Sequence, residues 1–243
     1  MRVFVSTCDK YDAVIKPFMY LFNKFWDSDI KVTILGYRKP NFDLYDNFDF
    51  VSIADKQENV NQWSTDFRNY FESIEDEHFL WTVEDSYLIR PFNKNIFNEL
   101  NKYLDDENLG RISLVNATEK KQHNILEKHE DFNIIEQGQN TEYRISVLWS
   151  VWKKDYLLKY LTPNQNPWDF EWNQSQRAKN DGFKVLGSSI LHGADHACGR
   201  RVGQGSSIPL DFNVRWKNYS LDEETINDMI DKKIINKDRS MIV

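Results

Sequence analysis

The order of elements along the chain predicts an α/β fold: a single domain with a mostly parallel central sheet and helices on both faces. Three observations carry that prediction. Short β-branched runs alternate with segments of helical spacing through the first half of the sequence. A length of 243 residues suits one large domain. No internal repeat or low-complexity linker divides it.

The elements follow in order. Arg2 to Thr7 alternates and carries β-branched residues, so it reads as a buried first strand. Tyr11 to Trp26 has apolar residues at Val14, Ile15, Phe18, Leu21, Phe22 and Phe25, spacings that make one helix face. Lys31 to Leu35 and Asp49 to Ile53 are strands. Val60 to Ile74 is helical through Phe67, Tyr70, Phe71 and Ile74. His78 to Val83 is a fourth strand. Pro91 starts a further helix, where proline is tolerated, with Ile96, Phe97, Leu100 and Leu104 on its apolar face. Arg111 to Val115 is a fifth strand. Ala117 to Asn140 is polar, weakly patterned and read as irregular. Tyr143 to Trp152 reads as strand, Asp155 to Leu161 and Phe170 to Asn180 as helices, and Phe183 to Leu186 as a short strand. Leu221 to Ile235 is a helix capped by Ser220. Residues 1–220 are thus expected to form the domain and 221–243 a C-terminal helical tail.

Composition bounds the function. Hydrophobic residues make up 40% and charged residues 28%, which predicts a packed core rather than disorder. Eight Trp and eleven Tyr fit either a bulky core or a polar cleft with aromatic platforms for a sugar or a base. A net charge of −7 argues against a protein that coats nucleic acid, though Arg200, Arg201, Arg215 and Lys217 offer a local basic strip. Cys8 and Cys198 are too few for a disulfide framework, and no zinc-ligand spacing occurs. The sequence runs straight into its first strand, without a leader-like segment, and no apolar run reaches the length of a membrane span. A cytoplasmic location is expected.

Four stretches carry polar groups where chemistry is plausible. The turn Ser6-Thr7-Cys8-Asp9-Lys10-Tyr11 follows the first strand, and in open α/β sheets ligands bind beyond the carboxyl ends of strands. It holds no glycine-rich dinucleotide or P-loop signature, and Asp9 or Asp12 could equally serve as a helix cap. The strand Phe79 to Val83 runs into Glu84-Asp85. Adjacent carboxylates there need solvent, a donor or a cation, and Mg2+-type sites use one or two carboxylates together with substrate phosphates. In Pro167-Trp168-Asp169-Phe170-Glu171-Trp172, either carboxylate could act as a general base beside aromatic rings, or Asp169 could cap a helix. Leu191 to Ser207 holds four of nine glycines, His192, His196 and Arg200-Arg201, as expected either of a mobile loop that closes on a diphosphate or of an ordinary surface loop.

Taken in this order, the polar turn after the first strand, the Trp63 helix, the strand ending in Glu84-Asp85-Ser86-Tyr87, and Pro167-Trp168-Asp169-Phe170-Glu171 resemble small bacterial and phage glycosyltransferases of the GT-A fold. The resemblance covers roughly residues 2–190. It implies a nucleoside-diphosphate sugar donor, with a UDP-sugar first in line, and a hydroxyl acceptor such as a glycan. It implies that Thr7, Asp9, Tyr11, Trp63, Glu84, Asp85, Arg200 and Arg201 bind the donor. A divalent cation, Mn2+ or Mg2+, would sit on Asp85 with His192 or His196, and Asp169 or Glu171 would face the acceptor. The chain lacks a clean Asp-x-Asp, because Ser86 and Tyr87 follow the acidic pair.

Three rival readings remain at this level. One is a DNA-modifying phage enzyme that glycosylates hydroxymethylated bases. Another is a nucleotidyltransferase, which would carry a glycine-rich loop where Ser6 to Tyr11 has none. The third is a non-catalytic sugar- or nucleotide-binding protein.

Overall fold

A computed structural model describes residues 1–115, 122–190, 200–201, 210–211 and 221–238. Its strands are β1 (Arg2–Ser6), β2 (Val32–Gly36), β3 (Phe48–Ser52), β4 (His78–Val83), β5 (Leu109–Ser113), β6 (His123–Lys128), β7 (Asn133–Gln137), β8 (Ser150–Lys153) and β9 (Lys184–Ser188), with a short ribbon of β10 (Arg200–Arg201) and β11 (Leu210–Asp211). The helices are α1 (Asp12–Phe25), α2 (Trp63–Ser73), α3 (Lys94–Asn101), α4 (Lys154–Tyr160), α5 (Pro167–Arg177) and α6 (Glu223–Asp231).

Nine strands form one sheet in the order β3-β2-β1-β4-β8-β5-β9-β7-β6. The first four pair in parallel, with α1 between β1 and β2 and α2 between β3 and β4. Beyond β4 the expected mostly parallel sheet gives way to a mixed one. β8 runs antiparallel to both β4 and β5, and β7 antiparallel to both β9 and β6. The fold class is therefore α/β with a mixed sheet.

Both faces of the sheet are covered, which explains why its central strands read as near-continuous apolar runs. Val3 and Val5 point to a core shared with α1, α3 and α6, while Phe4, Phe79 and Trp81 point to one shared with α2, α4 and α5. The period-two alternation of β1 thus divides its side chains between the two layers. The C-terminal segment contributes Leu221, Ile226, Met229, Ile234 and Ile235 to the first core.

Four local expectations are corrected. The segment read as irregular contains the β6–β7 hairpin. Every residue of β6 is exposed, so it has no buried face to announce it. The stretch read as a strand from Tyr143 is mostly loop, and only Ser150 onward joins the sheet. Arg111 takes over the satisfaction of its backbone: the buried guanidinium donates to Ser146 O (3.0 Å) and Tyr143 O (3.2 Å). α3 begins after Asn93, whose side chain accepts from Ile96 N (3.1 Å), and not at Pro91. α6 is capped by Asp222, which accepts from Thr225 N (2.7 Å), and Ser220 lies outside the described residues.

Candidate functional site

The carboxyl ends of β1, β2 and β4 meet at one edge of the sheet. Parallel pairing continues one residue past the strands: Thr7 N–H donates to Leu35 O (2.8 Å), and Glu84 N–H donates to Ser6 O (3.2 Å). The polar turn after β1 and the acidic turn after β4 are thereby fixed side by side. Gly36 lets β1 and β2 approach, because a Cβ there would lie 2.9 Å from Thr7 Cγ2.

Three groups define the edge. Asp9 is exposed, and its carboxylate accepts Arg38 N–H (3.2 Å), tying the β1 turn to the residues after β2. Arg38 is exposed beside it, and its charge partly offsets the burial that raises the Asp12 carboxyl above its usual range. Glu84 is buried and Asp85 half-buried. Burial, reinforced by the charge of Glu84, pushes the Cys8 thiol up to about 11, which marks Cys8 and Glu84 as neighbours. Tyr11 is half-buried and packs against the α1 core.

A second layer lies behind this edge. Tyr37 OH donates to Asp66 Oδ2 (3.0 Å). Asp66 sits in the first turn of α2, where the helix dipole favours a negative charge. Burial and the Asp66 charge both raise the Tyr37 phenol, so it stays protonated and donates. Trp63, expected at the donor, instead packs in the core, 5% exposed and stacked on Trp81 at 5.7 Å. Its neighbour Ser64 ties α2 to the entry of α5, accepting Gln165 N–H on its hydroxyl (2.7 Å).

The two carboxylates expected to face the acceptor have different surroundings. Asp169 is exposed in the first turn of α5. Its N–H donates to Asn166 Oδ1 (2.8 Å), and its Oδ2 accepts Asn166 Nδ2–H (2.6 Å), a reciprocal cap. Glu171 Oε1 accepts Ser146 Oγ–H (2.8 Å) and Val147 N–H (2.9 Å). That turn leads to Trp149, whose indole N–H donates to Ser86 O (2.8 Å), so Glu171 braces the chain that abuts the acidic turn. Trp168 and Trp172, one helical turn apart on α5, are 62% and 49% exposed. Tyr143, 43% exposed, meets Trp172 edge-on at 6.2 Å. Large aromatics this exposed are unusual in a chain that buries most of its rings.

Sequence reasoning missed Tyr37, Arg38 and Asp66. The signal that could have found the first two is the rule applied to β1 and not to β2: residues directly beyond a parallel strand belong to the ligand edge. Arg200 and Arg201 form β10, opposite Asp211 and Leu210. His192 and His196 lie outside the described residues. Among the described residues, the grouping of three His, Cys, Asp or Glu ligand atoms lies elsewhere, at Glu99, Glu127 and His129. A shallow groove of about 720 Å³ lined by Asn23, Lys31, Tyr45 and Asn47 sits at the opposite end of β2, away from all of these carboxylates.

No family model and no curated protein matches the sequence. Among solved structures, S. aureus TarS 1–349 in complex with UDP-GlcNAc matches over 84% of this chain and 59% of its own, with 13% identity and a TM-score of 0.50. The mannosyltransferase PcManGT from Pyrobaculum calidifontis, in complex with GDP-Man and Mn2+, matches over 76% of this chain and 53% of its own, with 10% identity and a TM-score of 0.47. This chain spans less than two-thirds of either. At such identity the first likeness establishes a GT-A-like fold, and the second is too slight to build on. No described helix is long and apolar enough to cross a membrane.

Proposed function

We propose that this chain is a glycosyltransferase that takes a nucleoside-diphosphate sugar, most simply a UDP-sugar, and transfers its sugar to a hydroxyl acceptor. The observation that carries the reading is the junction of Thr7, Asp9, Arg38, Glu84 and Asp85 at the carboxyl edge of three parallel strands. The same edge binds ligands in open α/β sheets generally.

The roles follow from charge. A departing nucleoside diphosphate develops negative charge, and groups fixed in advance to meet it stabilise the transition state. Asp85 would hold a divalent cation, Mn2+ or Mg2+, and that ion would supply charge neutralisation at the diphosphate. Arg38 adds a cationic group at the same edge, while the buried Tyr37–Asp66 pair behind it holds the residues after β2 in place for the donor. Arg200 and Arg201 are assigned to the diphosphate as well. On the acceptor side, Asp169 is exposed and accepts the proton of the attacking hydroxyl. Glu171 holds the turn at Ser146 and Val147. Trp168, Trp172 and Tyr143 give the acceptor's ring faces a surface to stack on, which favours a glycan over a small alcohol. A general base near the acceptor hydroxyl implies inversion at the sugar carbon.

Incubating the protein with a panel of UDP-, GDP- and dTDP-sugars, with Mn2+ or Mg2+, and measuring nucleoside diphosphate release tests the reading. Release from at least one donor, lost in Asp85→Asn with far-UV circular dichroism unchanged, is expected. Absence of release and of donor binding across the panel would remove it.

A further inference from the structure

The β6–β7 hairpin forms the last edge of the sheet, and its outer strand has no apolar burial to hold it, since all six residues of β6 are exposed while β7 is anchored by Ile134 and Ile135. One set of side chains connects it to a helix. Glu99 on α3, Glu127 near the end of β6 and His129 in the hairpin turn offer one ligand atom each, all within 4.8 Å of one another. The His129 ring is fixed by stacking on Phe132 at 4.4 Å and 11°. The turn itself is closed by the His129 N–H donating to Phe132 O (2.8 Å).

Two further observations point to a cation here. His129 Nε2 is itself covered, although the side chain is 27% exposed, and it makes no hydrogen bond among the described residues, with Glu127 Oε2 3.5 Å away. A buried imidazole nitrogen left unpaired costs free energy that a ligand bond would recover. The Tyr103 hydroxyl donates to Glu127 Oε1, orienting that carboxylate as an outer-shell partner does in metal sites. Glu99 is paired with the largely exposed Lys102 ammonium, which an ion at the cluster would have to displace.

We infer that Glu99, Glu127 and His129 bind one divalent transition-metal ion, of the Zn2+ type, which clips the β6–β7 hairpin to α3. One imidazole with two carboxylates suits zinc, whereas magnesium and calcium prefer all-oxygen sets. Zn–N and Zn–O bonds of about 2.0–2.2 Å require the three ligand atoms to close slightly from their present spacing. The half-exposed glutamates can do so by rotation, with Lys102 swinging to solvent. The ion joins α3 to β6 across the intervening chain, so it stabilises the edge by removing loop freedom as well as by ligation. The site is distinct from the donor edge and does not depend on the proposed reaction.

The test uses metal-stripped protein titrated with ZnCl2 by calorimetry, and with CoCl2 by visible absorption. Hydrogen exchange at the β6 amides is followed in parallel. The expected result is one ion per chain, Co2+ bands of a low-coordinate nitrogen–oxygen site, and slower exchange in β6 on Zn2+ addition. His129→Ala should weaken binding about tenfold or more and abolish the β6 response, since even outer-shell changes cost about that much. Glu99→Gln, which keeps side-chain volume, carries the same expectation and secures the test against misfolding of the histidine variant. Glu58→Gln, at an exposed carboxylate outside both sites, should bind Zn2+ as the parent does. No binding by the parent protein, binding unchanged in both site variants, or binding lost in Glu58→Gln would each overturn the assignment.

Discussion

Gly36→Ala perturbs the junction on which the donor edge rests, at the point where β1 and β2 come closest. The added Cβ would lie 2.9 Å from Thr7 Cγ2, 3.1 Å from Phe50 Cε2 and 3.3 Å from Phe50 Cζ. Thr7 cannot step aside freely. It is 6% exposed, and its N–H is committed to Leu35 O at 2.8 Å. The two strand ends must therefore spread by a few tenths of an ångström, and overpacking of this kind costs about 1–3 kcal/mol. Thr7→Ser removes Cγ2 and keeps the hydroxyl, leaving the half-buried Phe50 ring as the remaining contact, and a ring can tilt. The double variant should recover about half of the loss, a coupling of at least ~0.5 kcal/mol for groups in direct contact. Urea unfolding of the four proteins measures the cycle, and donor affinity measured alongside should weaken in Gly36→Ala and return in the double variant. The reasoning fails if Gly36→Ala is as stable as the parent, or if the two substitutions are simply additive.

Other substitutions separate the remaining roles. Asp169→Asn should lower kcat by about 10²-fold or more, as loss of a general base does, while costing no more than about 1 kcal/mol of stability from its place in the first turn of α5. Full activity would shift that role to Glu171, or to a retaining mechanism. Trp172→Ala should raise the acceptor KM with little change in kcat or donor affinity, read from initial rates against glycan acceptors. Equal loss with a short alcohol acceptor would argue against stacking. Burial, helped by the charge of Lys153, lowers the His78 imidazole below its ordinary 6.5. The unfolded chain therefore takes up a proton before the folded one does. Stability from this group is complete above 6.5 and falls as pH drops through the window between 6.5 and the lowered folded value. His78→Gln should flatten that part of the pH–stability curve, and an unchanged slope would remove His78 as its source.

Much of the parallel half of the fold is legible in the sequence because its strands are buried on both faces. β4 is read at its true limits, since after His78 the stretch Phe79 to Val83 is apolar except for Thr82 and is ended by two carboxylates. The antiparallel half is not legible in the same way. The direction of β8 leaves no trace in Ser150 to Lys153, because hydrophobic pattern encodes burial and not polarity. β6 exposes every residue, so its strand character comes from pairing with β7 alone. The loop from Tyr143 to Trp149 reads as strand because its side chains are largely buried, while the groups that satisfy its backbone, Arg111 and Glu171, lie far away in sequence. At the site, the strand-end rule locates Thr7, Asp9, Glu84 and Asp85 without knowledge of the fold. The family resemblance, not that rule, gives Trp63 a donor role, whereas the residue fills the core between α2, β4 and α5. An aromatic at helical spacing looks the same from sequence whichever way it points.

The most direct test of the central claim is calorimetric titration of the protein with a UDP-sugar, with and without Mn2+, beside Asp85→Asn. The account predicts saturable binding that Mn2+ strengthens in the parent protein, and a loss of that strengthening in Asp85→Asn without a change in thermal stability of the unliganded protein. Donor binding that is indifferent to both Mn2+ and Asp85 would contradict it.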